Sequence, residues 1–347
     1  MDIDRIIRKN ILALKPYSSA RNEFSGKAEL FLDANESPWD DDSRLNRYPD
    51  PMQRELRRKI AKCFSVPEAS LFIGNGSDEA IDLLIRVTCE PEQDRIVQFP
   101  PTYGMYEVQA RIQNAGVKNI LLNEDFSLPV EDYIKQVDEK DKITFVCTPN
   151  NPTGNSFAPE VIETLVHETS GLVVVDEAYI DFSDSKSMIE KISHYNRLVV
   201  LRTFSKAWAA AGIRLGIAIG NPELIKYLNA VKYPYNINQL TAEKALSLLE
   251  SKGPYDERRE LIRQEREKMR QKLLEIRGIE TVFPSDANFL LVRVKDSAHE
   301  LVRKLAERGI IIRDRSQLPR CEKCVRITIG RPEDNERLLT TLKEILS

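Results

Sequence analysis

The chain of 347 residues has no long apolar run, and it holds only five cysteines, three histidines and two tryptophans. No apolar stretch approaches the roughly 20 residues that a membrane-spanning helix requires. The first ten residues, MDIDRIIRKN, carry no apolar core of the kind found in secretory signals. The few cysteines form no even, dense framework, which is typical of a reducing compartment. We therefore expect a cytoplasmic protein with no membrane partner.

The sequence also disfavours a metalloprotein and a nucleic-acid-binding protein. Cys321 and Cys324 have CxxC spacing, but no second pair or nearby histidine completes a metal site, so we interpret both as ordinary thiols. The net charge of −3 and the pI near 5.9 provide no broad basic field for nucleic acid. We expect neither a bound metal nor a nucleic-acid partner.

Strand-like and helix-like segments alternate between about residues 54 and 230, which predicts an α/β fold. Several strand candidates are continuous apolar runs, as expected for parallel strands buried on both faces. The candidates are 71–74, 95–99, 143–147, 172–176, 197–203 and 215–219. Helical periodicity marks 51–64 and 77–90, and Ser77 and Asp78 suit the N-cap of the second helix.

The pattern changes after about residue 240. A highly charged segment, 255–277, has an apolar stripe and predicts a solvated helix that ends at Gly278. Strand candidates at 288–294 and 324–329 alternate with helix candidates at 298–308 and 332–346. We predict a large domain over 46–240 with a mostly parallel sheet. Residues 1–45, which include an N-terminal arm, and 241–347 would form a smaller α/β domain.

Lys206 is the most informative residue of the chain. It lies in TFSKAWAAAGIRLG (203–216), where alanines and a tryptophan surround its amine with apolar surface. Such surroundings disfavour the charged form, and a neutral amine can attack an aldehyde. Asp176 ends the apolar run LVVVD, so it should stand at the carboxyl end of a buried strand, where open α/β sheets bind ligands.

An anion site is predicted close to this lysine. Arg214 offers a planar fork to a phosphate, and Thr203 and Ser205 offer hydroxyls. The turn GNGSDEA (74–80) opens a helix, whose free N–H groups favour an anion, although its spacing fits neither a dinucleotide fold nor a P-loop. A Schiff-base lysine, a carboxylate for a pyridinium nitrogen and a phosphate site together indicate pyridoxal 5′-phosphate.

The motifs PNNPTG (149–154), DEAY (176–179) and SKAWAAAGIRLG (205–216) together resemble the fold-type I aminotransferases that depend on pyridoxal phosphate, over essentially the whole chain. The resemblance implies that Lys206 forms the Schiff base and carries protons. It implies Asp176 at the pyridine nitrogen, Tyr179 and Asn151 at the ring oxygen, and Tyr103 stacked on the ring. Gly76, Ser77, Ser205 and Arg214 would hold the cofactor phosphate.

Finer features are similar to the histidinol-phosphate aminotransferase branch of that family. They include LDANESPW (32–39), NRYPDP (46–51) and CVRITIG (324–330). The likeness implies a homodimer in which Tyr48 reaches the cofactor phosphate of the partner subunit. Arg326 would bind the α-carboxylate of glutamate and, together with Arg313 and Tyr17, the phosphate of histidinol phosphate. The stretch QLPRCEKCVR (317–326) departs from the family pattern, which leaves Arg313 less firmly placed than Arg326.

Three alternatives share parts of this pattern. A threonine-phosphate decarboxylase would use the same cofactor residues and phosphate-binding arginines but release CO₂. An aromatic or broad-specificity aminotransferase would have an overlapping pocket. A cofactor-binding regulator would need an attached DNA-binding module, for which the chain has no helix-turn-helix pattern.

Overall fold

The computed structural model describes residues 3–16, 30–40, 43 and 45–346. The strands are β1 (Leu71–Asn75), β2 (Arg95–Gln98), β3 (Gly116–Asn119), β4 (Asp141–Cys147), β5 (Leu172–Asp176), β6 (Leu198–Thr203), β7 (Leu215–Ile219), β8 (Ile279–Val282), β9 (Phe289–Val294), β10 (Arg313–Asp314) and β11 (Cys324–Thr328). The helices are α1 (Lys9–Leu12), α2 (Arg54–Phe64), α3 (Ser77–Thr88), α4 (Met105–Ile112), α5 (Val130–Gln136), α6 (Pro159–Glu168), α7 (Pro222–Val231), α8 (Gln239–Glu250), α9 (Gly253–Leu274), α10 (Ala298–Glu307) and α11 (Pro332–Leu346).

Seven strands form a mostly parallel sheet in the order β1-β7-β6-β5-β4-β2-β3. Strand β7 alone within that sheet runs antiparallel, against both β1 and β6. Helices α3, α4 and α7 cover one face, and α2, α5, α6 and α8 cover the other. Strands β5, β6 and β7 are buried along their whole length, which explains their uninterrupted apolar sequences. The predicted α/β fold with a mostly parallel sheet is confirmed.

The second sheet is antiparallel, with the order β10-β11-β9-β8. Helices α9, α10 and α11 pack on it around a separate core that includes Met269, Leu290 and Leu339. The smaller α/β unit predicted from the end of the chain is therefore present. The helix predicted over 255–277 runs from Gly253 to Leu274, and Pro254 occupies its first turn, where a missing N–H costs nothing.

The N-terminal residues Ile3, Ile6 and Ile7 belong to the core of the first sheet rather than to that of the second. Arg8 continues this contact by an ion pair with Glu90, 3.1 Å between Nε and Oε2. The division into domains of 46–240 and 1–45 with 241–347 stays a prediction. None of the helices in the described ranges combines the length and the apolar character that crossing a bilayer needs.

Candidate active site

A cavity of about 130 Å³ lies at the edge of the first sheet where β4, β5 and β6 end. Cys147, Asp176 and Thr203, the last residues of those strands, all line it. Because carboxyl ends of parallel strands share one edge, side chains distant in sequence meet there. Nine of the predicted site residues line this cavity: Ser77, Tyr103, Asn151, Asp176, Tyr179, Thr203, Ser205, Lys206 and Arg214.

Lys206 stands on the turn that follows β6. Its carbonyl accepts a hydrogen bond of 2.9 Å from the amide of Ala209, which adopts a left-handed conformation with φ of 52°. The Nζ atom lies 5.5 Å from the centroid of the Tyr179 ring. Burial lowers the pKa of the Lys206 amine, the charge of Arg326 lowers it further, and Asp176 opposes the shift. The site thus favours a neutral amine, as the surrounding alanines predicted.

Asp176 is 3% exposed and ends β5. Its Oδ2 accepts a hydrogen bond of 2.8 Å from the hydroxyl of Tyr106, and its Oδ1 accepts one of 3.1 Å from the amide of Ala178. Burial raises the pKa of this carboxyl, whereas the two hydrogen bonds oppose the rise. Tyr106 went unnoticed in the sequence because it lies on the apolar face of α4 and follows Tyr103 in the same motif.

Asn151 and Tyr179 are neighbours in the cavity lining. The amide Nδ2 of Asn151 is 3.5 Å from the Tyr179 hydroxyl, and its Oδ1 accepts a hydrogen bond of 2.5 Å from Nη1 of Arg326. Burial raises the pKa of the Tyr179 phenol, so it remains protonated and able to donate. This chain of contacts joins the first sheet to β11 of the second.

Ser77 and Arg214 line the side of the cavity at which α3 begins, and Gly76 directly precedes that helix. The amide of Gly76 donates a hydrogen bond of 2.7 Å to the Arg214 carbonyl, and Gly76 has φ of 77°. A Cβ atom at position 76 would lie 2.8 Å from Nη2 of Arg214, so glycine is needed both for conformation and for space. Ser205 lies beside them, its amide bonded to Oγ1 of Thr203 at 3.1 Å.

The N-cap prediction for Ser77 and Asp78 is wrong. Gly76 is the N-cap residue and makes no side-chain cap in the described structure, and Ser77 and Asp78 are the first two helical residues. The Asp78 carboxylate faces the cavity, where it accepts a hydrogen bond of 3.0 Å from the Tyr103 hydroxyl and lies 3.5 Å from Nη2 of Arg214. The amides of the first helical turn are therefore left for a ligand.

The remaining predicted residues are distributed differently. Arg313 on β10 pairs with Arg326 on β11 in the strand register, but its side chain is exposed. Tyr48 does not line this cavity: it is 50% exposed and stacks on Tyr235 with a centroid separation of 4.4 Å. Tyr17 lies outside the described residues.

The chain belongs to the family described as aminotransferase class I and II, whose model matches residues 21–342. It is 47% identical to the histidinol-phosphate aminotransferase of Parabacteroides distasonis, over 99% of both chains. The enzyme of that name from Christiangramia forsetii is 46% identical, over 99% of this chain and 98% of the relative.

Two solved structures extend the comparison. The histidinol-phosphate aminotransferase of Clostridium acetobutylicum superposes with a TM-score of 0.81 at 28% identity, covering 87% of this chain and 91% of that one. The L-threonine-O-3-phosphate decarboxylase of Porphyromonas gingivalis gives a TM-score of 0.74 at 27% identity, with the same coverage. The fold is thus shared by transferases and lyases, and only the site can separate them.

The protein is an aminotransferase that depends on pyridoxal phosphate. Its cavity fits that cofactor in three respects. The helix start at Ser77, together with Arg214, provides donors for a phosphate, and the buried Asp176 carboxylate can pair with a protonated ring nitrogen. The third feature is the Lys206 amine, whose lowered pKa suits a Schiff base.

Proposed function

We propose that this aminotransferase moves the amino group between histidinol phosphate and 2-oxoglutarate. The products are 3-(imidazol-4-yl)-2-oxopropyl phosphate and glutamate, and the reaction serves L-histidine biosynthesis. The observation that carries the proposal is a sequence identity of 43–47%, over nearly the full length, to relatives named histidinol-phosphate aminotransferase. Arg326, which contacts the cavity-lining Asn151, agrees with it, since both substrates are anions.

The cofactor is assigned to the cavity described above. When bound, pyridoxal phosphate supplies an electron-withdrawing ring that stabilises negative charge on the substrate Cα. Asp176 keeps the ring nitrogen protonated, and the hydrogen bonds from Tyr106 and Ala178 hold its carboxylate in place. Gly76, Ser77, Ser205 and Arg214 would bind the phosphate. Asn151 and Tyr179 would donate to the ring oxygen, and Tyr103 would stack on the ring.

Lys206 carries the proton. Its amine would take the proton from the substrate Cα as a general base and give it back as a general acid, a role of the kind that contributes about 10²–10⁴-fold to rate. The lowered pKa of this amine keeps it available as a base. The turn after β6 places this amine in the cavity lining, 5.5 Å from the centroid of the Tyr179 ring.

Substrate anions are assigned to the second sheet. Arg326 binds the α-carboxylate of glutamate, and its contact with Asn151 orients its guanidinium toward the cavity. Arg313, directly across the strand pair, joins it on the phosphate of histidinol phosphate, and Tyr17 is proposed as a third contact. One set of donors thereby serves both substrates in turn, as alternating half-reactions require.

A homodimer is the assembly that we propose. Large apolar side chains are exposed in 30–40, 45–48 and 233–240, among them Trp39 (84% exposed), Leu32 (83%) and Tyr233 (80%). Contacts of Arg47 with the Phe31 carbonyl and of Tyr48 with Tyr235 hold these segments together as one surface. Exposed apolar surface of this extent marks an interaction site. Tyr48 on that surface would reach the cofactor phosphate of the second subunit.

We also propose a cytoplasmic location, supported by the five cysteines, all of which are free thiols.

The test of the proposed reaction is a substrate comparison. The purified holoenzyme, given histidinol phosphate and 2-oxoglutarate, should form glutamate, and unphosphorylated histidinol should be a much poorer amino donor. Lys206→Ala should retain the fold, seen by circular dichroism, and lose turnover. Release of CO₂ from threonine phosphate without glutamate formation would identify a decarboxylase. Equal rates with histidinol and aromatic amino acids would identify a broad-specificity enzyme.

A further inference from the structure

Three arginines share one face of the β10–β11 strand pair beside the cavity. Arg313 is directly opposite Arg326, and the amide of Arg315 donates a 2.9 Å hydrogen bond to the Cys324 carbonyl, which extends the pairing. Side chains two residues apart along an extended chain lie on the same side, and directly opposed residues do so too. Arg315 therefore joins the two arginines that the sequence identified.

The charge of Arg315 has no counter-ion within the described part of the chain. Its half-buried side chain makes no ion pair or hydrogen bond there, and its buried Nε has no acceptor. The adjacent Asp314 bonds instead to the hydroxyl and the amide of Ser316. Burial and the charges of Arg326 and Arg313 lower the pKa of Arg315 to about 10. A desolvated cation beside two like charges is costly unless an anion is bound among them.

The Nε of Arg326 is likewise buried and without an acceptor in the described structure. Two of the three guanidinium groups thus offer unused donors at the same place. Arg326 bonds to Asn151, which lines the cavity, and Arg315 lies on the same face of the strand pair. The charges of both arginines act on the phenol of Tyr179, which also lines the cavity. An anion bound among these arginines would therefore lie beside the cavity-lining Asn151.

We propose that Arg315 is a specificity-determining residue that distinguishes the phosphate of the amino substrate from the carboxylate of glutamate. This inference rests on the proposed function. A carboxylate has one charge and two oxygens, which the guanidinium of Arg326 satisfies. A phosphate ester bears up to two charges and three free oxygens, and it extends further from Cα by a methylene and an oxygen. The guanidinium of Arg315 therefore has an anionic partner only when the phosphate is bound.

The experiment compares Arg315→Gln with the wild-type holoenzyme. We expect the KM for histidinol phosphate to rise about ten- to a hundredfold, which is typical of losing a charge-assisted hydrogen bond. The KM for 2-oxoglutarate should change less than about threefold, and kcat should change little, because Arg315 does not touch the reacting atoms. Arg315→Lys should recover part of the loss, since it restores the charge without the fork.

Arg320→Gln is the matched control. Arg320 lies on the same loop, and its guanidinium is 3.6 Å from Glu124, in the segment between β3 and α5. Its replacement should leave both KM values unchanged. Equal rises in both KM values after Arg315→Gln, or no rise in either, would overturn the proposal.

An equilibrium measurement separates this proposal from the proposed function. Inorganic phosphate, titrated into the holoenzyme and followed by calorimetry, should bind about ten- to a hundredfold more weakly to Arg315→Gln than to the wild type or Arg320→Gln. This readout needs no turnover, so it tests Arg315 even if the wild type forms no glutamate from histidinol phosphate. Unchanged phosphate affinity in the variant would contradict the role given to Arg315.

Discussion

At the residue scale, the reactive amine of Lys206 is controlled by charges of both signs around it. Burial and the positive charges of Arg326 and Arg214 lower its pKa, while Asp176 and Asp78 raise it. One of the cations, Arg326, comes from the second sheet and also binds Asn151. The basicity of the lysine is therefore linked to the group assigned to the substrate anion.

A pH profile tests this linkage. Arg326→Gln removes a charge that lowers the pKa of Lys206, so the pKa of the amine should rise toward the ordinary lysine value near 10.5. The neutral fraction at pH 8 then falls. We expect reductive methylation of Lys206 in the apoenzyme, followed by peptide mass spectrometry, to slow at that pH. The pH at which the methylation rate is half of its maximum should move upward. Arg320→Gln should show no shift, and a downward shift in Arg326→Gln would contradict the electrostatic account.

Tyr106 supports Asp176 from behind the cavity. Its ring is fully buried, stacked on Phe145 with a centroid separation of 4.4 Å, and its hydroxyl bonds the carboxylate at 2.8 Å. Tyr106→Phe removes that bond, which raises the pKa of Asp176 and weakens its hold on a protonated ring nitrogen. We expect about tenfold weaker retention of pyridoxal phosphate in equilibrium dialysis.

The control for this substitution is Tyr133→Phe. Tyr133 is another fully buried tyrosine, and its hydroxyl lies 2.9 Å from Oγ1 of Thr144, away from the cavity. Both variants should lose a similar free energy of unfolding, but only Tyr106→Phe should lose cofactor. Equal cofactor affinity in the two variants would remove Tyr106 from the site.

At the scale of elements, the start of α3 is held against β7 by direct backbone contact. A Cβ atom at Gly216 would lie 2.2 Å from the amide nitrogen of Ser77, with backbone rather than a flexible side chain in the way. Gly216→Ala should therefore push the helix start away from Arg214. We expect a loss of about 1–3 kcal/mol in unfolding free energy and weaker binding of the cofactor phosphate.

Thermal unfolding and dialysis against pyridoxal phosphate check both effects. Gly253→Ala is the control, because a Cβ there meets nothing within 4 Å in the described structure. Wild-type stability together with wild-type cofactor affinity in Gly216→Ala would show that the contact between β7 and α3 is not needed.

The elements predicted from sequence are those with strong apolar signals. Strands β4 to β7 and β9 are apolar runs and were predicted within a few residues. Strand β3, GVKN, went unpredicted because it is a half-exposed edge strand without an apolar run. Strand β10 has only two residues, and nothing local marks it.

The site was predictable to the extent that its residues follow strand ends or share a motif. Asp176, Asn151 and Lys206 could be placed in this way. Asp78, Tyr106 and Arg315 depend on distances between elements that come together only in the fold. Asp78 in particular looked like a cap, because its sequence position fits one.

At the scale of the whole molecule, the proposed dimer predicts complementation between defective subunits. Lys206→Ala and Tyr48→Phe impair different residues, and a shared site takes Lys206 from one chain and Tyr48 from the other. Mixed dimers would then hold one site with both residues intact.

Refolding the two variants together should give activity above the sum of the separate parents. The assay is glutamate formation, with sedimentation to verify the dimer. A matched mixture of Lys206→Ala with Arg214→Gln is informative, because both residues belong to one chain's cavity and no intact site can form. A gain of activity in this second mixture, or no gain when Lys206→Ala is refolded with Tyr48→Phe, would contradict a site shared through Tyr48.

The reversed direction of β7 has a mechanical consequence. The connection 204–214 leaves the sheet from β6 and returns at the same edge into β7. Hydrogen bonds fix both of its ends: the Phe204 amide donates to the Leu215 carbonyl, and the Gly76 amide donates to the Arg214 carbonyl. Lys206 and Arg214 therefore lie on one connection that is fixed at both ends. If the second sheet shifts toward the cavity as substrates change, its arginines travel while the lysine and the cofactor phosphate site stay fixed relative to each other.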